Sequence, residues 1–215
     1  RPEDDVENTL TARLLLLLES EPILGKEVYD RVVGDVVATY WRDYADHSDE
    51  FVPTFFVNDV LRLWRTFCVN YEAKTKQEPR RLKLKRRVKN YKLKHSRMLT
   101  CFSAILSLLV KYREQQTVRP QDLIDIVDMT PTRRLEWVQE HLSGEMAYSN
   151  IDSLLRAYDA FLEKSKIGEE ALIDEFEDKT KHREYIKEAT DFGDLMFSTL
   201  KSVGDDSTLF RQLIV

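Results

Sequence analysis

The stretch "KLKRRVKNYKLKHSRMLTCFSAILSLLVKYR", Lys83 to Arg113, contains neither glycine nor proline, and its side chains recur at three- and four-residue steps. Lys85, Lys89, Lys92, Ser96, Thr100, Ser103 and Ser107 form one stripe. Most of their neighbours are apolar: Val88, Tyr91, Met98, Leu99, Cys101, Phe102, Ile105, Leu106, Leu108 and Leu109. That spacing follows the period of an α-helix and predicts one long helix. A stripe that runs from lysines into small hydroxyls either lets a second helix approach closely or lines a wet cavity for a polar ligand.

On both sides of this helix, proline, glycine and capping residues divide the chain into about eight helical segments, and no convincing strand alternation appears. The expectation is an all-α fold, a single multi-helix domain. Residues 1–115 would form a helical core carrying a polar stripe and a basic segment, and residues 116–215 a C-terminal helical subdomain packed on it. A first helix runs from about Val6 to Ser20 and stops before Pro22, where the proline ring disfavours continuation. A second, from about Lys26 to Tyr44, spaces Val28, Val32, Val33, Val36, Val37, Tyr40 and Trp41 helically, although β-branched valines leave strand as an alternative there. Further on, Thr130 reads as an N-cap with Pro131 at the first helical position. Ser149 and Asp152 have capping-box-like spacing. Gly168 ends that helix, a last long charged segment covers Glu169 to about Val203, and the apolar "LFRQLIV" is expected to dock on the body.

The 215 residues are 42% hydrophobic and 33% charged, with six glycines and six prolines, which is the composition of an ordinary packed protein rather than a disordered or repetitive one. The most apolar run, Leu14 to Leu18, is far short of a bilayer span, so no membrane partner is expected. The acidic opening "RPEDDVENT" lacks the basic-then-apolar order of a signal peptide and reads as the interior of a longer product or a trimmed chain. Cys68 and Cys101 lie in separate apolar helical patterns without C-x-x-C spacing. Buried thiols in a reducing, cytoplasmic compartment are the expectation, with pairing open if their helices touch.

The net charge of −5 conceals a segregation. From Lys74 to Arg97 twelve Lys or Arg stand against Glu78 alone, leaving 21 basic and 37 acidic residues elsewhere. So dense a basic run needs an acidic surface of the same protein, a nucleic acid, or the phosphates of a small ligand; a solvated face is the bland alternative. The helix "FFVNDVLRLWRTFCVNYEAK", Phe55 to Lys74, offers a possible counterpart. Val57, Val60, Leu61, Trp64, Phe67, Cys68 and Tyr71 cover one side, while Asn58, Asp59, Arg62, Arg65, Thr66 and Asn70 share the other. If this stripe faces the lysine stripe, Arg62, Arg65, Lys89, Lys92 and Arg97 surround a volume suited to phosphate oxygens, since planar guanidinium forks bind phosphate bidentately. Trp64 or Tyr91 could stack a base. The alternative is an Asp59–Arg62 or Glu72–Arg65 network that only fixes helix packing.

The blocks "NTLTARLLLLLESEPILGKEVYDRVV", "FFVNDVLRLWRTFCVNYEAK" and "RRVKNYKLKHSRMLTCFSAIL", in that order, with a weaker echo at "LFRQLIV", resemble the helical region after the catalytic domain of bacterial nucleotidyltransferase-domain proteins of the DNA-polymerase-β-like superfamily. The likeness runs from about Asn8 through Ile105. In that superfamily a Gly-Ser turn precedes an Asp-x-Asp pair whose carboxylates hold a divalent metal against a nucleoside triphosphate. This sequence has neither feature, so the resemblance implies an upstream catalytic half. Magnesium would come only with that half, and these residues alone would supply no catalytic or metal-binding group and no cofactor. It implies a supporting role beside a nucleotide cleft, with Asn58, Asp59, Arg62, Arg65, Lys89, Lys92 and Arg97 as nucleotide or phosphate contacts. The partners would be nucleotide or nucleic acid and the protein's own upstream domain.

Two other readings stay open. One is a non-enzymatic protein-interaction module that uses the basic 74–97 segment on an acidic partner or on the chain's own acidic C-terminal helices. The other is a ribonuclease similar to helical HEPN domains, suggested by Arg134 and His141 with six residues between them, although Leu135 departs from the polar residue usual after that Arg. Asp178 and His182, one turn apart, have ligand spacing but make no zinc site by themselves.

Overall fold

The computed structural model describes residues 9–72, 79–142, 144–205 and 207–214. The fold is all-α, with no strand among the described residues. In chain order the helices are α1 Thr9–Glu19, α2 Lys26–Tyr40, α3 Thr54–Glu72, α4 Arg80–Lys92, α5 Met98–Gln115, α6 Pro120–Val127 and α7 Pro131–Glu140. Then follow α8 Glu145–Ser165, α9 Glu169–Glu177, α10 Lys179–Gly204 and α11 Thr208–Ile214. A short 3₁₀ turn, Tyr44–Asp46, follows α2, and a π turn, Leu93–Arg97, joins α4 to α5 into one 36-residue rod, Arg80–Gln115. The valine-rich α2 is helical because its valines are spaced for a helix face. Val33, Val37 and Tyr40 go inward, while Val28 and Val32 stay exposed.

The rod is the axis of the molecule. Its α5 half is buried on nearly every side by α7, α10, α3 and α6. By length and composition it could cross a bilayer, yet 67% of its apolar window is buried inside this protein, as expected of a core helix. Thr100, Ser103 and Ser107 are buried too, and each hydroxyl donates to α5's own backbone or the turn before it: Thr100 to Ser96 O, Ser103 to Thr100 O and Ser107 to Ser103 O. Small, self-satisfied hydroxyls let helices pack closely. This portion of the stripe is therefore packed interior.

Buried residues from both sides of residue 115, among them Leu63, Leu106, Leu123, Leu135 and Leu200, share one core. A second, smaller core forms where Leu84, Val88 and Tyr91 of α4 meet Leu172, Ile173 and Phe176 of α9, Tyr185 and Ala189 of α10, and Phe161 of α8. The C-terminal segment docks as expected: Leu209 of α11 is fully buried, Thr54 donates to Gln212, and α11 contacts α3, α5 and α10.

Some boundaries differ from the sequence reading. The segment from Glu169 to Val203 is two helices, because Asp178 accepts hydrogen bonds from the backbone N–H groups of Thr180 (2.7 Å) and Lys181 (3.0 Å) and caps α10. Asp178 thus starts a helix. Ser149 lies inside α8, which starts at Glu145, so it does not cap. Thr130 does cap α7, accepting from the Arg133 N–H at 3.2 Å, with Pro131 following it.

Candidate functional site

On α3, Phe56, Val57, Val60 and Leu63 are buried while Asn58, Arg62 and Arg65 are exposed, so the polar stripe is the solvent face of the helix. Asp59 is half-buried; one carboxylate oxygen accepts from the Tyr40 hydroxyl at 2.9 Å and the other from Arg62 at 3.2 Å. That bridge tethers α2 to α3. Burial first, and then the Asp59 charge, push the Tyr40 phenol far above its ordinary range, so it remains a donor. Arg65 has no acid partner among the described side chains, and the Glu72 carboxylate expected as its alternative partner lies outside them. The side chains of Asn70, Tyr71 and Glu72, and all of residues 73–78, lie outside the described residues.

Arg97 sits between the two stripes, pairing with Glu19 of α1 while its guanidinium lies 5.2 Å from the Phe67 ring centroid of α3. Arg97 is thus committed to packing α1, α3 and the π turn together. Lys89 is exposed and Lys92 half-buried, neither with an acid partner among the described residues.

The N-terminal half of α4 meets the acidic α9 instead. Arg81 pairs with Glu170, Lys85 lies 3.7 Å from Glu169 and 3.5 Å from Glu170, and Arg80 lies 2.9 Å from Glu177. Pairing with Arg81, and more weakly with Lys85, holds the Glu170 carboxyl below its ordinary value. These are exposed pairs that set orientation more than stability. The dense basic run is thus partly answered within the chain.

Beyond this clamp the second core opens into clefts on two sides of Tyr91. One, of about 300 Å³, is lined by His95, Phe161, Lys164, Glu188 and Asp191, among others. Here Lys164 pairs with Glu188, which also accepts from the Tyr91 hydroxyl at 3.3 Å. His95 is sealed against Phe161, rings parallel at 4.5 Å, with Nδ1 2.9 Å from Tyr91 O. Burial pushes its imidazole below the usual range. The other cleft, of about 230 Å³, is lined by Arg87, Asn90, Tyr91 and Lys94 from α4 and the π turn, by Phe176 of α9, and by His182, Tyr185, Ile186 and Ala189 of α10. None of the seven residues expected from the sequence lines either cleft.

Arg134 is 1% exposed; its Nε donates to Ile126 O at 2.9 Å and its Nη2 to Leu18 O at 3.2 Å. It closes the carboxyl ends of α6 and α1, where a cation also meets the helix dipoles favourably. Burial pulls its guanidinium down to about 10, still charged at neutral pH. His141 stacks on Trp137 at 4.2 Å with Nδ1 2.8 Å from Trp137 O. The two residues of the HEPN-like spacing therefore serve the fold, with Arg134 out of reach of a substrate. Among the described residues no cluster of three or more metal-ligating side chains occurs. Cys101 is buried, Cys68 half-buried, and no disulfide joins them; burial pushes the Cys101 thiol up to about 12, which makes it unreactive.

No family model, no curated protein and no solved structure matches this chain. The chemistry of its surface rests on its own geometry.

Proposed function

We propose that this chain is a helical, non-catalytic module that binds the phosphates of a nucleotide or nucleic acid on the face made by α3 and the outer side of α4, as part of a nucleotidyltransferase-like protein. One observation carries the reading. The carboxylates of α9 answer only the first turns of α4, and Lys89 and Lys92 remain without an acid partner among the described residues, in a chain whose remainder is rich in carboxylates. Asn58, Arg62 and Arg65 add the solvent side of α3, with Asp59 orienting Arg62; Arg97 packs against Phe67 behind it. The nucleotidyltransferase setting, a cytoplasmic location and a bacterial source rest on the sequence resemblance and on the two cysteines outside a disulfide. Any magnesium belongs to the catalytic half that this setting implies.

Fluorescence anisotropy with a labelled single-stranded RNA, and separately with ATP, tests the reading. Lys89→Ala with Lys92→Ala, and Arg62→Ala with Arg65→Ala, should each weaken binding while leaving helicity and cooperative melting intact. The slope of log affinity against log salt should fall by about 0.7 for each phosphate contact removed. Affinity and slope that stay the same in both double variants would exclude this face.

The clamp of α9 on α4 supports a second reading, an interaction module whose basic helix is already occupied from within. Glu169→Gln, Glu170→Gln and Glu177→Gln together should then raise RNA affinity through α4. If the triple variant binds as the parent does, α9 masks nothing.

A further inference from the structure

We propose that the cleft between α4 and α10 is a binding site for a phosphate monoester, held by Arg87, Asn90, Lys94 and His182. It is separate from the face considered above, shares no residue with it, and does not depend on it.

Two helical faces make this cleft. Arg87, Asn90, Tyr91 and Lys94 recur at three- and four-residue steps along one wall, as do His182, Tyr185, Ile186 and Ala189 along the other. The wall positions are thus fixed by helix geometry rather than by loops. The floor is rigid: Tyr185 stacks on Phe176 at 4.7 Å and meets Tyr91 edge-on at 4.9 Å. His182 rests 5.5 Å from the Phe176 ring.

What singles the cleft out is its charge. Among the described residues no carboxylate lines it, although acids outnumber bases in the chain as a whole, and Arg87, Lys94 and the His182 ring have no acid partner there. The neighbouring acids are engaged elsewhere: Glu175 with Lys181 and Tyr185, Glu188 with Lys164 and Tyr91, and Asp178 with the backbone of α10. Burial first, and then the Arg87 charge, hold the His182 imidazole below its usual range. A dianion placed there offsets the Arg87 and Lys94 charges, accepts from the guanidinium fork, the ammonium and the Asn90 amide, and favours a protonated His182. The volume of about 230 Å³ holds a phosphate with part of its ester group against Ile186, and is small for a whole dinucleotide.

Titration of the full chain with inorganic phosphate, AMP and adenosine, read by calorimetry and by the His182 imidazole resonances, tests this. Phosphate and AMP should both bind and shift His182 to higher pKa. Equal affinities would identify the anion alone as the ligand, whereas tighter AMP binding adds the ester group. Arg87→Ala and Lys94→Ala should each cost about tenfold or more, as expected for a lost charge-assisted contact, with the melting temperature unchanged because both side chains reach solvent. Arg156→Ala, on α8 and outside both faces, should have no effect. The proposal fails if His182 does not respond to millimolar phosphate or AMP, if adenosine binds as well as AMP, or if the Arg87→Ala/Lys94→Ala double variant binds like the parent.

Discussion

At the scale of single residues, two large polar side chains buried in the interior are answered by backbone carbonyls. Arg134 is the clearest case, a buried guanidinium spent on the carbonyls of Ile126 and Leu18. His95 is the other, and it has a pH consequence. Burial lowers its pKa and outweighs the opposing Tyr91 carbonyl and Glu188 charge, while Lys164 and Lys94 add smaller contributions in the same direction as burial. The native state therefore holds His95 neutral at pH values where the unfolded chain, with an imidazole near 6.5, already takes a proton. Stability should be full above about pH 6.5 and should fall as pH drops through that value toward the lowered native pKa. Thermal melts across this range should show the decline. His95→Gln, which keeps an N–H for the Tyr91 carbonyl, should remove most of it, the remainder belonging to His182. A melting temperature that rises on acidification would contradict the buried neutral imidazole.

At the scale of elements, the contact of α9 with α4 combines two kinds of interaction of unequal worth. The carboxylates of Glu169, Glu170 and Glu177 lie in solvent beside their basic partners, where pairing energy is screened. Beneath them Leu172 and Ile173 are fully buried against Leu84, Val88 and Tyr91. Leu172→Ala should therefore destabilise by about 2–4 kcal/mol in chemical denaturation, through lost transfer energy and a cavity, whereas Glu170→Gln should leave the midpoint nearly unchanged. A reversed order would mean that charge, and not burial, docks the helix. The charge asymmetry was visible in the sequence, but the docking partner was not, because Lys74 to Arg97 could be answered equally by phosphate or carboxylate. The small hydroxyls at 100, 103 and 107 were ambiguous in the same way until neighbouring helices closed over them.

At the scale of the whole molecule, the chain end closes the structure. Gly204 ends α10 where α11 turns back, and a β-carbon there would lie 2.6 Å from the Phe210 ring and 2.9 Å from its own Cβ. The flexible end of a side chain could yield, but a Cβ moves only with its backbone. Gly204→Ala should thus displace α11, uncover Leu209 and increase protease sensitivity near the C-terminus, which limited proteolysis followed by mass spectrometry would show. A digestion pattern like the parent's would mean that α11 adapts without leaving its site.

What the sequence determined by itself was local. Apolar residues at helical spacing specified an all-α chain, Thr130 and Pro131 marked a helix start, and the closing apolar segment had to be covered. Those signals act within a few residues, through backbone geometry and the burial of one helix face. Tertiary structure alone decided which charges met. It bound Arg80, Arg81 and Lys85 to α9 and Arg97 to Glu19, turned Asn58, Arg62 and Arg65 to solvent, and brought Arg87 and Lys94 to His182 from far along the chain. Coulomb forces depend on distance in space, and in a folded helical protein that distance is set by the packing of apolar faces, which sequence order does not reveal.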